Sequence, residues 1–440
     1  MERVDYVICG DYVLTMNDKM DVIREGAIAV RGAKIVGVDT EAAILSKYAT
    51  GTLLKGKDRA VLPGLINTHT HAAMVYFRGL EDDLPLKDWL EDHIWPAEGK
   101  WLSPEFVSDA VELACLEMLK GGVTTYSDMY FFGDSAARAT KRIGMRAFLG
   151  AGVVDFPTSS GKNADDYLKN AERFINDWQG DELITPCIAA HSAYACGPET
   201  LKKIVAVTDR LHTQRHIHLS ETEWEVAELL SRYGRRPALH LADIGFLDEN
   251  ALAAHCVWLD DEELEMLAKR KTGVSHCIES NLKLASGIAP VPAMLKAGVR
   301  VSLGTDGAAS NNDLNILSEM STAAKVHKAI SKDPTVLDSK TALLMATRWG
   351  ADVLGLGNRI GSIENGKSAD IIAINLKKPH MTPLYDIYSH IVYAAMASDV
   401  ETVMVNGRQV LNSRDLVTAD EDEILQKALE WGKKIAGINP

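Results

Sequence analysis

Apolar positions follow two patterns along this chain. Over the first sixty residues, short β-rich runs alternate with turns: Tyr6–Cys9, Tyr12–Met16, Gly26–Val30 and Lys34–Val38. That spacing predicts an antiparallel sheet. Near Pro63 the pattern changes to apolar strands separated by helix-compatible stretches, the signature of repeated βα units. Eight strands are expected: Val61–His71, Val123–Tyr130, Met145–Val154, Ile184–Tyr194, His216–Glu221, Ala251–Leu259, Thr272–Asn281 and Val299–Gly307. Between them, Pro104–Lys120 with Ser103 as N-cap, and Glu223–Tyr233, are expected helices. The repeats predict an α/β fold, a (β/α)8 TIM barrel spanning 61–360. After residue 360, β patterning returns in Gly361–Lys367, Asp370–Ile374 and Val400–Val410. The economical arrangement joins 1–60 with 361–440 in one small β-sandwich built from both chain ends. The acidic run Asp420–Glu423 reads as the solvated start of a helix.

Composition narrows the function. At 46% hydrophobic and 25% charged residues, the chain has the makeup of an ordinary globular protein with a sizeable core. A net charge of −14 disfavours a phosphate polymer or an anionic membrane as partner, but not a neutral nucleoside. The six Cys are scattered without a C-x-x-C and read as reduced residues of a cytoplasmic protein. The N-terminus lacks a signal-peptide pattern, and no apolar run is long enough for a membrane span.

Chemistry concentrates at one end of the expected barrel. His69 and His71 alternate on strand 1 and therefore share a face, where two imidazoles can close on one metal ion. His191 ends strand 4, His218 and Glu221 strand 5, His255 strand 6 and Asp306 strand 8. Barrel active sites lie at this C-terminal end. Buried ionisable groups are costly unless paired or bound to metal, so packing alone does not account for the cluster. His216 shares a strand face with His218 and is one extra imidazole. His93, His212, His240, His327, His380 and His390 have bland surroundings and read as structural or surface residues.

The stretches Pro63–His71, Trp89–Glu98, His216–Thr222, Ser275–Cys277, Ser280–Gly287 and Gly304–Gly307 give the chain a specific likeness. It resembles the amidohydrolase superfamily, and within it the 5'-methylthioadenosine/S-adenosylhomocysteine deaminases, nearly end to end. The resemblance implies that His69, His71, His218 and Asp306 bind one divalent metal. It implies also that Glu98, His191, Glu221 and Asp306 face a small nucleoside substrate, and that the protein is a homo-oligomer. Three His and a carboxylate suit Zn2+ or Fe2+. Two-metal relatives bridge their ions with a carbamylated Lys on strand 4; this strand has none, so a single ion is expected.

The expected reaction is hydrolytic deamination of a 5'-substituted adenosine to the matching inosine and ammonia. Asp306 would take the proton of the attacking water, His255 would hold the hydroxide, and Glu221 would protonate N1. Glu98 would accept the ribose hydroxyls, and His276 with Asn281 would have a supporting part. Guanine, cytosine or an s-triazine is the alternative substrate, opposed by the ribose-facing Glu98. A scaffold that has lost its metal is opposed by the intact ligand set. One departure concerns Arg residues that contact substrate in some relatives: this chain has Arg146 and then none until Arg173. That puts a contact to the amino-acid tail of S-adenosylhomocysteine in doubt.

Overall fold

The computed structural model describes residues 1–437. Eight parallel strands form one sheet in sequential order: β6 (Leu65–Thr70), β7 (Val123–Tyr130), β8 (Arg146–Val153), β9 (Ile184–Ala190), β10 (Arg215–Leu219), β11 (Ala251–His255), β12 (Gly273–His276) and β13 (Arg300–Leu303). The last strand returns to the first. Asp306 N–H donates to the His69 carbonyl (2.9 Å) and Thr68 Oγ1 to that of Leu303 (2.8 Å), so the sheet closes as the predicted barrel. Gly304 permits this closure, because a Cβ there would sit 2.8 Å from the His69 backbone nitrogen.

A second, nine-stranded sheet draws on both chain ends. It contains β1 (Glu2–Leu14), β2 (Val22–Arg31), β3 (Lys34–Thr40), β4 (Tyr48–Leu54), β5 (Arg59–Pro63), β14 (Ile371–Asn375), β15 (Val400–Val405), β16 (Arg408–Asn412) and β17 (Asp415–Leu416). The joint between the ends is β5, paired parallel with β1 and antiparallel with β14. The sheet curls back on itself: Ile35 N–H donates to Lys367 and Ala369 N–H to Ala33. Ile8, Val13, Ile28, Ile35, Val61, Ile371 and Met404 from its two ends then share one apolar cluster.

Several elements differ from expectation. The strand predicted over Val61–His71 is two strands in two sheets, broken at Gly64, whose N–H donates to Asp370 instead. Tyr6–Cys9 and Tyr12–Met16 belong largely to a single strand, β1. Gly361–Lys367 is loop rather than strand, with Gly361 and Gly366 both at positive φ. Val400–Val410 breaks at Asn406-Gly407, where two consecutive positive φ values (49° and 76°) make the hairpin turn between β15 and β16.

The helix Pro104–Lys120 forms as predicted, with Ser103 Oγ accepting from Phe106 N–H and Phe106, Val107, Ala110, Val111 and Ala114 on its buried face. The acidic run Asp420–Glu423 caps and opens the helix Glu421–Ile435, as expected, and that helix lays Trp431 against Phe106 with ring centroids 5.1 Å apart. Arg146, at the start of β8, is buried in a two-pronged pair with Asp370 (2.7 and 3.1 Å) that bolts the barrel to the sheet. It is no substrate contact. Among the described residues, no helix is long and apolar enough to cross a membrane.

Candidate active site

The barrel strands stop earlier than their apolar patterns suggest, and the site is built where they stop. Glu221 lies two residues past β10, Asp306 three past β13, and His71 and His191 one past β6 and β9. The turns that carry them are sharp. Ser220, His255, Cys256 and Asp306 have φ of 48°, 70°, 52° and 64°, a left-handed backbone that non-glycine residues hold only where surrounding contacts enforce it.

Three imidazoles and one carboxylate converge. His69 Nε2 and His71 Nε2 lie 3.3 and 3.2 Å from Asp306 Oδ1, and His71 Nε2 lies 3.2 Å from His218 Nε2. A tetrahedral site with bonds of about 2.0–2.1 Å has ligand atoms roughly 3.3–3.4 Å apart. The opposite ring nitrogens are already used. His71 Nδ1 donates to the Met129 carbonyl (2.6 Å) and His218 Nδ1 to that of His191 (2.7 Å), which turns both Nε2 atoms toward the cluster, where a cation would displace any proton they carry. His69 Nδ1 is 3.2 Å from His216 Nε2, while His69 Nε2 is buried without a hydrogen-bond partner. An orphaned lone pair in this setting fits a cation, and His69, His71, His218 and Asp306 can hold one. The extra imidazole, His216, stands behind His69.

Electrostatics follow the same arrangement. Burial opposes the charge of Asp306, but His69 and His71 beside it hold its carboxyl well below the usual range. Burial pulls His71 down, yet the Asp306 carboxylate and the Met129 carbonyl carry it up to about 9. His218 and His216 are pushed well below an ordinary imidazole by burial and by the neighbouring rings. The far oxygen of Asp306, Oδ2, accepts from Ser280 Oγ (2.7 Å) and Ser310 Oγ (2.6 Å).

A cavity of about 290 Å³ opens over this cluster, a size suited to a small ligand. Glu98, His191, Glu221 and His255 all line it. His255 is anchored through Nδ1 on Asn281 Oδ1 (2.9 Å), and its Nε2 lies 3.7 Å from Glu221. Glu221 otherwise has only Ser286 Oγ at 3.5 Å, and burial raises its carboxyl above the usual range. Burial lowers His191 to about 4. Glu98 comes from the excursion after β6, where a π-helical turn at Trp89–Ile94 leads into the helix Trp95–Trp101. Its Oε1 accepts from the Tyr130 hydroxyl (2.7 Å), and burial raises it to about 7 against that hydrogen bond. Trp89, Trp95, Phe131 and Phe156 supply aromatic walls; among the described residues no Lys or Arg lines this cavity.

The residues singled out in the sequence to bind metal, to act on the substrate or to face it all meet here. Asn281 supports His255, whereas His276 points elsewhere and pairs with buried His327 (3.1 Å), which is therefore one of the structural residues. Tyr130, Ser310 and the backing role of His216 were not foreseen. Tyr130 ends β7 at the same barrel rim, the one signal that could have found it.

This fold and this site define a metal-dependent barrel hydrolase. The amidohydrolase family profile matches residues 60–410, and the chain belongs to that family. It is 54% identical to the 5-methylthioadenosine/S-adenosylhomocysteine deaminase of Thermodesulfovibrio yellowstonii, over 98% of both chains. It is 44% identical to the 5'-deoxyadenosine deaminase of Methanosarcina barkeri, again over 98% of each. Among solved structures, it superposes on a zinc-bound adenosine deaminase from Xanthomonas campestris with a TM-score of 0.97, at 39% identity and 99% coverage of both chains.

Proposed function

We propose that this chain hydrolyses the 6-amino group of 5'-substituted adenosines, giving the matching inosine and ammonia. The observation that carries the reading is one chamber holding three groups: the His69–His71–His218–Asp306 cluster, the buried acid Glu221, and Glu98 held by Tyr130. The relatives named above for such substrates support it. One divalent ion, Zn2+ before Fe2+, suits the ligand set and would bring a bound water's pKa to near 7.

The chain's own residues do the rest. Asp306 takes the proton of the attacking water, while Ser280 and Ser310 keep its carboxylate oriented. His255, fixed by Asn281, holds the nucleophilic oxygen in line. Glu221, whose carboxyl burial raises above the usual range, gives its proton to N1 as oxygen bonds to C6. The C6–N bond then breaks as Asp306 passes its proton to the amino group and Glu221 takes the proton of the new hydroxyl, so C6=O forms, ammonia leaves and both carboxyl groups are restored. Neutral His191 hydrogen-bonds the purine. Glu98 accepts the ribose hydroxyls. The cavity's uncharged aromatic wall suits a methylthio group or hydrogen at C5'. A charged amino-acid tail must instead pass Trp95 and Phe156 into the adjoining cavity, where Lys87, Arg232 and Lys283 lie. We read 61–360 as the catalytic unit and 1–60 with 361–440 as its composite companion, in a cytoplasmic homo-oligomer.

A panel of nucleosides and free bases, followed by the ultraviolet change from adenine to hypoxanthine, tests this. Rapid turnover of 5'-methylthioadenosine and 5'-deoxyadenosine with negligible turnover of adenine, guanine, cytosine and s-triazines is expected. Preferential turnover of a free base or triazine overturns the substrate assignment.

A further inference from the structure

Glu225 is 1% exposed, yet no Lys or Arg pairs with it among the described residues. Burying a carboxylate without a counter-charge is costly, so what its oxygens do is informative. It sits at the third position of the helix Glu223–Tyr233, and Thr222 Oγ1 caps that helix by accepting from Glu225 N–H (3.2 Å). In an ordinary capping box the glutamate at this position returns the favour to the backbone N–H of the capping residue. Here it reaches past Thr222. Its two oxygens accept from Ser220 N–H and Glu221 N–H, each at 2.9 Å.

These two amides belong to the turn that aims Glu221 into the chamber. Ser220 has φ of 48°, and its carbonyl is gripped from the other side by Val257 N–H (3.1 Å) and Trp258 N–H (2.9 Å). Val257 and Trp258 follow directly on His255 and Cys256, so the same clamp sets the β10 turn against the β11 turn. The Glu221 side chain makes no close contact of its own, with 3.5 Å to Ser286 Oγ and 3.7 Å to His255 Nε2. Its aim is therefore imposed through the backbone.

We propose that Glu225 is a positioning residue for the reaction: its carboxylate holds the Ser220–Glu221 turn left-handed, and so holds the proton donor at the ring. The inference rests on the assignment of Glu221 as the acid. The full-length, metal-loaded protein is assayed with 5'-methylthioadenosine. Glu225→Gln keeps one acceptor oxygen and sets an amide N–H2 against the second backbone N–H. Its kcat should fall roughly 10- to 100-fold, the scale of an ångström-level misplacement, with KM within a few-fold. Metal content should stay at the wild-type value, and the variant should remain folded at the assay temperature, though it melts lower for its opposed buried donors. In a Glu221→Gln background the same change should cost less than about 3-fold, because the group it positions has already lost its proton. Glu225→Asp, charged but one methylene short, should show the same split at smaller amplitude and stands in if the Gln variant does not fold. A wild-type rate in the folded Glu225 variants, or a full multiplicative loss on Glu221→Gln, overturns the inference. If Glu221→Gln alone runs at the wild-type rate, the acid assignment itself falls and the inference with it.

Discussion

Removing the 2'-hydroxyl of the substrate should expose what Glu98 does. One of its oxygens already accepts the Tyr130 hydroxyl at 2.7 Å, so the remaining acceptor capacity is free to meet a diol. A buried acceptor left without its donor costs about 1–3 kcal/mol. At about 1.36 kcal/mol per decade, kcat/KM for a 2'-deoxy analogue should fall about 5- to 160-fold below the ribo form. In Glu98→Ala the two substrates should be turned over within about 2-fold of each other.

The pH dependence supplies a second reading of the same contact. The ionised carboxylate is the better acceptor, and burial has raised Glu98 to about 7. Hence kcat/KM for the ribo substrate should rise as pH climbs through about 7 and level off above it. The Tyr130 hydroxyl lowers this pKa, so in Tyr130→Phe the rise should move to higher pH, and in Glu98→Gln it should vanish. The assay is the loss of adenine absorbance for ribo and deoxy forms of 5'-methylthioadenosine across pH 5–9. Equal discrimination by wild type and Glu98→Ala refutes the argument.

Other substitutions separate the remaining roles. His218→Ala or Asp306→Ala removes one of four ligands, so the purified protein should lose most of its metal or nearly all turnover; full metal with wild-type rates would remove that residue from the ligand set. Glu221→Gln keeps shape without the proton, so metal should stay while the rate falls roughly 10²–10⁴-fold. A rate within a few-fold of wild type takes Glu221 out of the mechanism. Arg146→Ala leaves the Asp370 carboxylate buried and unpaired, and should cost about 3–5 kcal/mol of stability in denaturant unfolding. A loss under about 1 kcal/mol would contradict that bolt.

The barrel and the ligands were legible because both rest on short-range pattern. Apolar strands alternate with helices at a regular interval, and His69 and His71 share a face by strand geometry alone. What stayed hidden depends on where strands end in space. The runs at Ala251–Leu259 and Thr272–Asn281 continue past β11 and β12 into a buried turn at Cys256 and Val257 and into the buried start of a helix, Ile278–Lys283, so composition gives no boundary. Left-handed positions such as Ser220, His255 and Asp306 carry none of the glycine that would have announced them. Tyr130 on Glu98, Ser310 on Asp306 and His216 behind His69 are contacts between segments 32, 4 and 147 residues apart. Of these only the Ser310 contact is local, and a serine four residues after an aspartate is too common to signal a role. His327 read as bland because its partner, His276, lies 51 residues away on β12.

The claim on which the account turns is that the His69–His71–His218–Asp306 cluster, loaded with one divalent ion, deaminates a 5'-substituted adenosine. The most direct measurement strips the protein with a chelator, then titrates Zn2+ back while following conversion of 5'-methylthioadenosine to its inosine product. Turnover should vanish on stripping and return in proportion to metal, saturating at one equivalent per chain. Undiminished turnover by the stripped protein, or no inosine product at full metal load, would contradict it.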